Sequence, residues 1–213
     1  MRTIKGLTYW LNNRLYVAVT NKTNSMSPLA VRGPSFFLPA SSGFEALEDE
    51  PDAVDIKHAV DLAFDQGKVG VTSMGSDEIT FQGIGEPLLR RDVVMEAAQL
   101  IKESRHGVQL RLRTNGLIPE SESFSLATNL KACGIKHVVV SLMTDNPKQY
   151  VDIMQPKNDL GFGEVCNFVM ACVESGLMVG CTAVNRPDVR MAEVRALAQS
   201  LGAQSFKEYS YHP

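Results

Sequence analysis

Apolar residues recur along the chain in a repeating unit of a helical pattern, a glycine and a short strand-like run. Five segments carry apolar side chains at i, i+3 and i+4, and each is followed by a glycine, which is typical of a left-handed helix end. The pattern therefore predicts five helices. They span residues 52–66, 91–106, 123–133, 163–175 and 188–201, and they are followed by Gly67, Gly107, Gly134, Gly176 and Gly202.

Strand-like runs alternate with these helices. Six strands and five helices in alternation predict right-handed βα units around a parallel sheet, either a partial barrel or an open doubly wound sheet. In both architectures the chemistry belongs at the carboxyl ends of the strands. Residues 1–13 are predicted as a short cap and residues 31–51 as a long, solvated first βα loop. The predicted strands span residues 14–20, 78–82, 108–113, 137–142, 178–184 and 205–209.

Composition indicates a single globular domain over residues 1–213. The chain has 44% hydrophobic residues, 21% charged residues and a formal net charge of −3, which argues against a broad nucleic-acid interface. No apolar run is long enough for a membrane span, and no targeting signal is visible. Four cysteines without CxxC spacing indicate buried thiols in a reducing compartment, cytoplasmic or organellar. They are Cys133, Cys166, Cys172 and Cys181.

Three segments at predicted strand ends carry the candidate chemistry. Gly83 and Gly85 precede Glu86 after the second strand, where two glycines let the backbone approach a ligand, or simply form a tight turn. Asn115 follows the third strand before a glycine, which is also typical of a turn. Ser141 places a hydroxyl at the end of the very apolar fourth strand. Each signal alone is weak, and their order along the chain makes them informative.

That order resembles the radical S-adenosylmethionine (SAM) superfamily, with GxGEP after the second strand, TNG after the third and a serine ending the fourth. The segments at residues 9–21, 33–36, 81–90 and 150–156 are further similar to the TatD-associated radical SAM proteins. The similarity runs from about Tyr9 to Tyr209. It implies an α/β fold, a partial (β/α)6 barrel of the radical SAM type.

The resemblance also implies a vestigial SAM pocket. The glycine motif after the second strand begins at Gly83. Within this motif, Gly85 and Glu86 match the positions whose backbone faces the SAM amino group. Asn115 and Ser141 match positions that approach the ribose.

Three further positions fall near the mouth of the implied barrel. Val184 lies where adenine packs in the superfamily. Arg113 stands where an asparagine is expected, and Arg32 lies in the first βα loop. Two arginines there predict either a site for a carboxylate or phosphate, or a solvated rim.

One family motif is absent. Thr23, Ser27 and Ala30 stand where the family's Cys-x3-Cys-x2-Cys motif holds a 4Fe–4S cluster. Hydroxyl groups replace thiolates poorly, and alanine offers no donor. Because radical chemistry takes an electron from that cluster, we expect the fold to be kept and the reaction lost. We therefore expect no catalytic residue, no metal site and no cofactor, with at most weak SAM or nucleotide binding.

Three hypotheses about function follow. The favoured one is a pseudoenzyme that serves as a scaffold or subunit of a larger protein complex, because the two open edges of a partial barrel need cover. The second is a cluster-free domain that binds SAM or a nucleotide. The third is an enzyme with a different reaction. The sequence shows no grouping of histidines or nucleophiles that would support this hypothesis. An error in the loop alignment would instead leave an active radical SAM enzyme.

Overall fold

The computed structural model describes residues 2–66 and 77–213. Strands and helices alternate, and the strand order in the sheet is β1-β2-β3-β4-β5-β6-β7. The strands are β1 (Thr8–Leu11), β2 (Arg14–Val17), β3 (Glu78–Phe81), β4 (Gln109–Thr114), β5 (Ile135–Ser141), β6 (Met178–Asn185) and β7 (Ser205–Ser210). The helices are α1 (Ala53–Asp65), α2 (Arg91–Ser104), α3 (Glu120–Ala132), α4 (Pro147–Met154), α5 (Phe162–Glu174) and α6 (Met191–Ser200).

The described residues fall into two compact units. The first lies within Met1–Lys22, Leu38–Leu112 and Ala132–Lys136, and the second within Thr23–Phe37, Arg113–Lys131 and His137–Pro213. In the first unit β1 runs antiparallel to β2, and β2, β3 and β4 run parallel. In the second unit β5, β6 and β7 run parallel, with Val184 opposite Tyr209. The organisation of residues 1–213 as one domain stays a prediction.

The N-terminal segment corrects one prediction, because residues 1–13 contain a strand rather than a simple cap. β1 and β2 form a hairpin whose turn residues, Asn12 and Asn13, have φ of 51° and 58°. Two residues with positive φ are the mark of a type I′ hairpin turn, which asparagine tolerates. β1 therefore covers the outer edge of β2 and becomes the edge strand of the sheet in its place.

Helix α4 is a second element that the apolar pattern missed. It begins after Asn146, whose side-chain oxygen accepts hydrogen bonds from the backbone N–H groups of Lys148 and Gln149. Proline at the first helical position supports this start, because an N–H group at that position would have no acceptor within the helix. With only eight residues, the helix shows too little periodicity to be recognised from apolar spacing.

The glycines predicted to end helices differ in their backbone φ angle. Gly134, Gly176 and Gly202 have φ of 98°, 75° and 88°, as predicted for left-handed helix ends. Gly107 does not have a positive φ, because α2 already ends at Ser104. Gly67 lies outside the described residues.

Each unit buries its own apolar side chains. In the first unit the buried set includes Ile56 and Val60 of α1, Ile79 and Phe81 of β3, and Val94 of α2. In the second unit it includes Val138 and Val140 of β5, Val165 and Phe168 of α5, and Val194 of α6. Helices pack on strands through these faces, which leaves the strand ends for the candidate site. No helix in the described part of the chain is long and apolar enough to cross a membrane.

Candidate functional site

The glycine motif after β3 folds back on the segment that follows β2 within the first unit. The Gly85 N–H donates to the Thr20 carbonyl oxygen over 3.2 Å, and the Glu86 N–H donates to the Lys22 carbonyl oxygen over 2.9 Å. A Cβ on Gly85 would lie 2.3 Å from the Lys22 oxygen and 2.5 Å from the Thr20 oxygen. The absent side chain at Gly85 therefore lets two segments of this chain approach each other.

Gly83 and Glu86 also have roles within the first unit. A Cβ on Gly83 would lie 2.8 Å from the Cβ of Ala18. The buried Glu86 carboxylate accepts a hydrogen bond of 2.9 Å from the Leu88 N–H and so caps the short 3-10 turn Pro87–Arg90. The contact of Gly83, Gly85 and Glu86 with SAM stays a prediction.

The acidic stretch at residues 45–51, predicted as part of a solvated loop, is held by polar contacts. The Asn21 side chain pairs with both backbone groups of Leu47, over 2.9 and 3.1 Å. The Thr20 hydroxyl donates to Glu50 over 2.7 Å and holds the pKa of that carboxyl below its usual value, with Lys22 acting in the same direction. These contacts fasten the acidic stretch to the segment after β2.

Asn115 joins two separate segments in the second unit. Its side-chain nitrogen donates to the Asn24 side-chain oxygen over 2.6 Å and to the Ser25 hydroxyl over 2.9 Å. Its side-chain oxygen accepts a hydrogen bond of 3.0 Å from the Leu117 N–H. Asn115, Asn24 and Ser25 are all buried. The residue predicted to approach a ribose thus holds the loop in which the cysteines of the family motif belong.

The positions predicted to replace those cysteines include two hydroxyl groups that shape the backbone of this loop. The Thr23 hydroxyl accepts from the Ser25 N–H over 3.2 Å and donates to the Ser25 carbonyl oxygen over 2.9 Å. The Ser27 hydroxyl accepts from the Ala30 N–H over 3.2 Å. Ala30 is exposed and begins a short 3-10 turn, Ala30–Arg32. The hydroxyl groups are therefore used in local turns.

Further contacts tie the loop to the region around α4. The Met26 N–H donates to the Met154 carbonyl oxygen over 2.6 Å, and the Lys157 N–H donates to the Asn24 carbonyl oxygen over 2.7 Å. The Lys157 ammonium also donates to the Thr23 carbonyl oxygen over 3.0 Å. No sequence pattern pointed to Asn24 or Lys157, because each acts through a contact with a distant segment.

The donor set does not fit a thiolate-bound iron–sulfur cluster. None of the four cysteines lies in the loop at residues 21–32. Burial raises the pKa of Cys166 to about 11, and the pKa values of Cys172 and Cys181 to about 12, so these three thiols are neutral at pH 7. Across residues 2–66 and 77–213, no three His, Cys, Asp or Glu side chains gather in a metal-binding group.

Ser141 lies at the end of β5 in the second unit and is buried. It pairs in register with Thr182 of β6, which is also buried. Just beyond it, Met143 has φ of 66° and donates its N–H to the Thr182 carbonyl oxygen over 3.1 Å. Val184, predicted to pack on adenine, is buried near the end of β6. The second unit thus places a hydroxyl and an apolar side chain at neighbouring strand ends.

The two arginines predicted near the candidate site both lie against one aromatic ring. The Cζ atoms of Arg32 and Arg113 are 4.9 and 5.1 Å from the centroid of the Tyr209 ring. Both side chains are half-buried, so neither is fully solvated. The structure therefore brings together two residues that the sequence analysis singled out separately.

Comparisons with known sequences give partial matches. No protein-family model matches the chain. A probable GTP 3',8-cyclase of Methanocaldococcus jannaschii is 40% identical over 94 residues, which cover 44% of this chain and 27% of that protein. A GTP 3',8-cyclase of Nitrobacter winogradskyi is 31% identical over 121 residues, covering 54% of this chain and 32% of that protein. The matched region thus spans less than a third of each relative's length.

Solved structures share the fold of nearly the whole chain. Streptococcus suis SuiB bound to S-adenosylmethionine matches with a TM-score of 0.64 at 14% identity, covering 94% of this chain and 42% of that one. HydG, a maturase of the [FeFe]-hydrogenase, matches with a TM-score of 0.65 at 14% identity, covering 93% and 42%. The predicted fold class, an α/β partial barrel of the radical SAM type, is confirmed. Together with the sequence relatives, these structures support the radical SAM superfamily.

The comparisons also correct the expectation that no cofactor is bound. SuiB, which shares this fold, was solved with S-adenosylmethionine bound, and the superfamily that the comparisons support takes its name from that ligand. The expectation rested on the three missing thiolates alone and allowed at most weak SAM binding, whereas a protein with this fold is seen with SAM bound. Polar groups at strand ends, such as Asn115 and Ser141, do not depend on those thiolates.

Proposed function

We propose that this chain is a SAM-binding partial barrel that works as a subunit of a larger protein assembly and does not itself supply the thiolates of a 4Fe–4S cluster. The observation that carries the proposal is the loop at residues 23–30, where hydroxyl groups occupy two of the three cysteine positions and form backbone turns. Buried polar groups at the strand ends of the same unit support a retained nucleoside site. The fold is thus kept for binding.

Asn115 and Ser141 are the residues we assign to the ribose of SAM. An amide and a hydroxyl suit ribose hydroxyls, because each offers both a donor and an acceptor. Val184 offers a buried apolar surface for adenine. Bound SAM supplies an activated sulfonium, and the role of these residues is to bind and orient its nucleoside half. The backbone of Gly83, Gly85 and Glu86 stays the predicted contact of the amino group.

Ligand binding competes with an internal contact. Both donor positions of the Asn115 side-chain amide point at Asn24 and Ser25. A ribose that takes one of these donors therefore weakens the hold on the loop. We expect SAM to increase the mobility of residues 24–26, which links the ligand to the loop without radical chemistry.

A second candidate is an active radical SAM enzyme that acts on a nucleotide. The 40% identity with a probable GTP 3',8-cyclase over 94 residues favours it. This candidate needs cluster ligands from outside the loop at residues 23–30, since that segment contains no cysteine. We therefore rank it below the SAM-binding subunit.

Two finer assignments belong to the same proposal. Similarity at residues 9–21 and 81–90 supports placement among the TatD-associated radical SAM proteins. The structure of SuiB bound to its precursor peptide SuiA, which matches with a TM-score of 0.64, supports a protein rather than a nucleic acid as partner. Co-purification from the native source, followed by mass spectrometry, tests for a stable partner, and a strictly monomeric protein would contradict the subunit role.

Anaerobic calorimetry with SAM tests the ligand. We expect saturable binding with a Kd on the order of 100 µM, since a few neutral hydrogen bonds and one apolar contact carry it. Ser141→Ala should weaken binding several-fold. The matched control is Ser125→Ala, because Ser125 is exposed on α3 and should leave the affinity unchanged. Absence of saturable heat up to about 5 mM SAM, roughly fifty times the expected Kd, would overturn the proposal.

A further inference from the structure

Three cationic side chains surround the ring of Tyr209 in the second unit. The Cζ atoms of Arg32 and Arg113 lie 4.9 and 5.1 Å from the ring centroid, and the Lys207 ammonium lies 4.9 Å from it. Arg32 also lies 3.7 Å above the centroid of the Phe36 ring. We call Arg32, Arg113, Lys207 and Tyr209 the cation cluster.

The members of the cation cluster come from distant parts of the chain. Arg32 ends the short turn Ala30–Arg32, Arg113 lies on β4, and Lys207 and Tyr209 lie on β7. In the sheet order β5 and β6 stand between β4 and β7. The meeting of these side chains is therefore a product of tertiary folding, and no charge pattern along the sequence predicts it.

The positive charges of the cation cluster are not neutralised within the described residues. Arg32, Arg113 and Lys207 make no ion pair with a carboxylate there, whereas the neighbouring Arg195 pairs with Glu208 over 2.5 Å. Burial lowers the pKa of Arg32, and the positive charge of Arg113 lowers it further. Like charges at close range repel each other, which is consistent with this shift. Because no carboxylate of the described residues pairs with these three side chains, the cation cluster lacks a counter-charge.

The chain holds Arg32 in place beside this cluster. The His212 N–H donates to the Arg32 carbonyl oxygen over 2.8 Å, and the Arg32 Nε donates to the Ser210 carbonyl oxygen over 3.5 Å. At Gly33, with φ of 103°, a Cβ would lie 2.0 Å from the His212 carbonyl oxygen. The tail after β7 therefore packs directly on the backbone that carries Arg32, which positions the guanidinium before any ligand arrives.

We propose that the cation cluster binds a multiply charged anionic group, a phosphate or a carboxylate, carried by a ligand or partner of this protein. Guanidinium groups present paired N–H donors that match the oxygens of both anions, and a lysine adds a further charge. Three cations call for more than one negative charge, which excludes a simple halide as the natural ligand. The site does not rest on SAM binding, since none of its members is assigned to SAM.

Titration with inorganic pyrophosphate and, separately, with citrate tests the proposal on the full chain at low ionic strength. We expect saturable binding of at least one anion, and the stronger of the two distinguishes a phosphate ligand from a carboxylate ligand. Arg113→Gln and Lys207→Gln should each weaken binding about tenfold. Added salt should weaken it as well, because the contacts are electrostatic.

Arg195→Gln is the matched control, because Arg195 also lies against an aromatic ring, that of Phe206, but is paired with Glu208. It should leave the anion affinity within about twofold of the parent. Circular dichroism verifies that each variant is folded, and the exposed Lys207 provides a variant with little risk to the fold. Equal loss in the control, equal binding in all variants, or no saturable binding of either anion at 10 mM each overturns the proposal.

Discussion

The side-chain amide of Asn115 donates a hydrogen bond of 2.6 Å to the side-chain oxygen of Asn24, although 91 positions separate the two residues. Asn115 follows β4, and Asn24 lies in the loop where the family motif places its cysteines. Both side chains are buried, so the bond is protected from competition with water. The residue that we propose for the nucleoside therefore also holds the loop in which the family motif is expected.

Asn115→Ala should release that loop. The substitution removes two donors and leaves the buried oxygens of Asn24 and Ser25 without this partner, which costs about 1–3 kcal/mol of unfolding free energy. Amide hydrogen exchange at residues 24–26 should become faster, and SAM affinity should fall. The matched control is Asn129→Ala, because Asn129 is exposed on α3. Unchanged exchange at residues 24–26 would show that the bond does not hold the loop.

Restoring the family motif should restore iron binding. Thr23→Cys, Ser27→Cys and Ala30→Cys together place three thiols at the family spacing in one loop. After anaerobic reconstitution we expect a visible absorption band and iron rising towards about four atoms per chain, well above the parent. A control with three cysteines at the exposed Ser125, Thr128 and Asn129 of α3 should not gain this band. Equal iron in the parent and in the restored variant would mean that the loop is placed wrongly.

Gly85→Ala should destabilise the first unit. The new methyl group would lie 2.3 Å from the Lys22 carbonyl oxygen, so the backbone after β2 has to move. We expect a loss of about 3 kcal/mol or more in urea unfolding. Gly163→Ala is the control, because a Cβ at this position in α5 meets nothing within 4 Å. It should be neutral or stabilise by up to about 1 kcal/mol, since alanine favours helix. Equal effects of the two substitutions would contradict this account of Gly85.

Glu78→Gln should also destabilise the first unit. The buried Glu78 carboxylate pairs with Arg14 and Arg111, each over 3.1 Å. Removing its charge weakens both ion pairs of a buried carboxylate, which we expect to cost about 2–3 kcal/mol at pH 7. Glu208→Gln, which breaks the more exposed pair with Arg195, should cost about 1 kcal/mol or less. If Glu78→Gln lowered the unfolding free energy no more than Glu208→Gln does, this account of Glu78 would be contradicted.

The thiols should be unreactive in the folded protein at pH 8. Burial raises the pKa of Cys166 to about 11 and those of Cys172 and Cys181 to about 12. A raised thiol pKa keeps the neutral form dominant, so the thiolate that reacts with Ellman's reagent is scarce. Among these three thiols, native labelling should begin with Cys166 as the pH approaches 11. In guanidinium chloride all four cysteines should react at pH 8.

The same pKa shifts predict how stability depends on pH. The shifts favour the folded state below the unfolded thiol pKa of about 8.5, and this contribution is lost as the pH rises through about 11 to 12. Rapid labelling of a native thiol at pH 8, or stability that does not fall in the alkaline range, would contradict the buried placement of these residues.

The sequence by itself determined the elements whose signal is local. Apolar side chains at helical spacing followed by Gly134, Gly176 and Gly202 predicted three helix ends that the structure confirms. The order of strands and helices predicted a parallel α/β sheet, either a partial barrel or an open one. The resemblance carried by the strand-end motifs implied the partial barrel, which is confirmed. These features can be recognised in the sequence because they depend on residues within a few positions of one another. The geometry of the backbone sets the spacing at which those residues recur.

Only the tertiary structure decided how the candidate site is assembled. The contact of Asn115 with Asn24 and the approach of Arg113 to the Tyr209 ring join segments far apart in sequence. The roles of Thr23 and Ser27 in loop turns also emerged only there, since the motif comparison treats them simply as missing cysteines. Such contacts depend on which side chains packing brings within a few ångströms of each other, and that selection is made by the folded core, not by spacing along the chain.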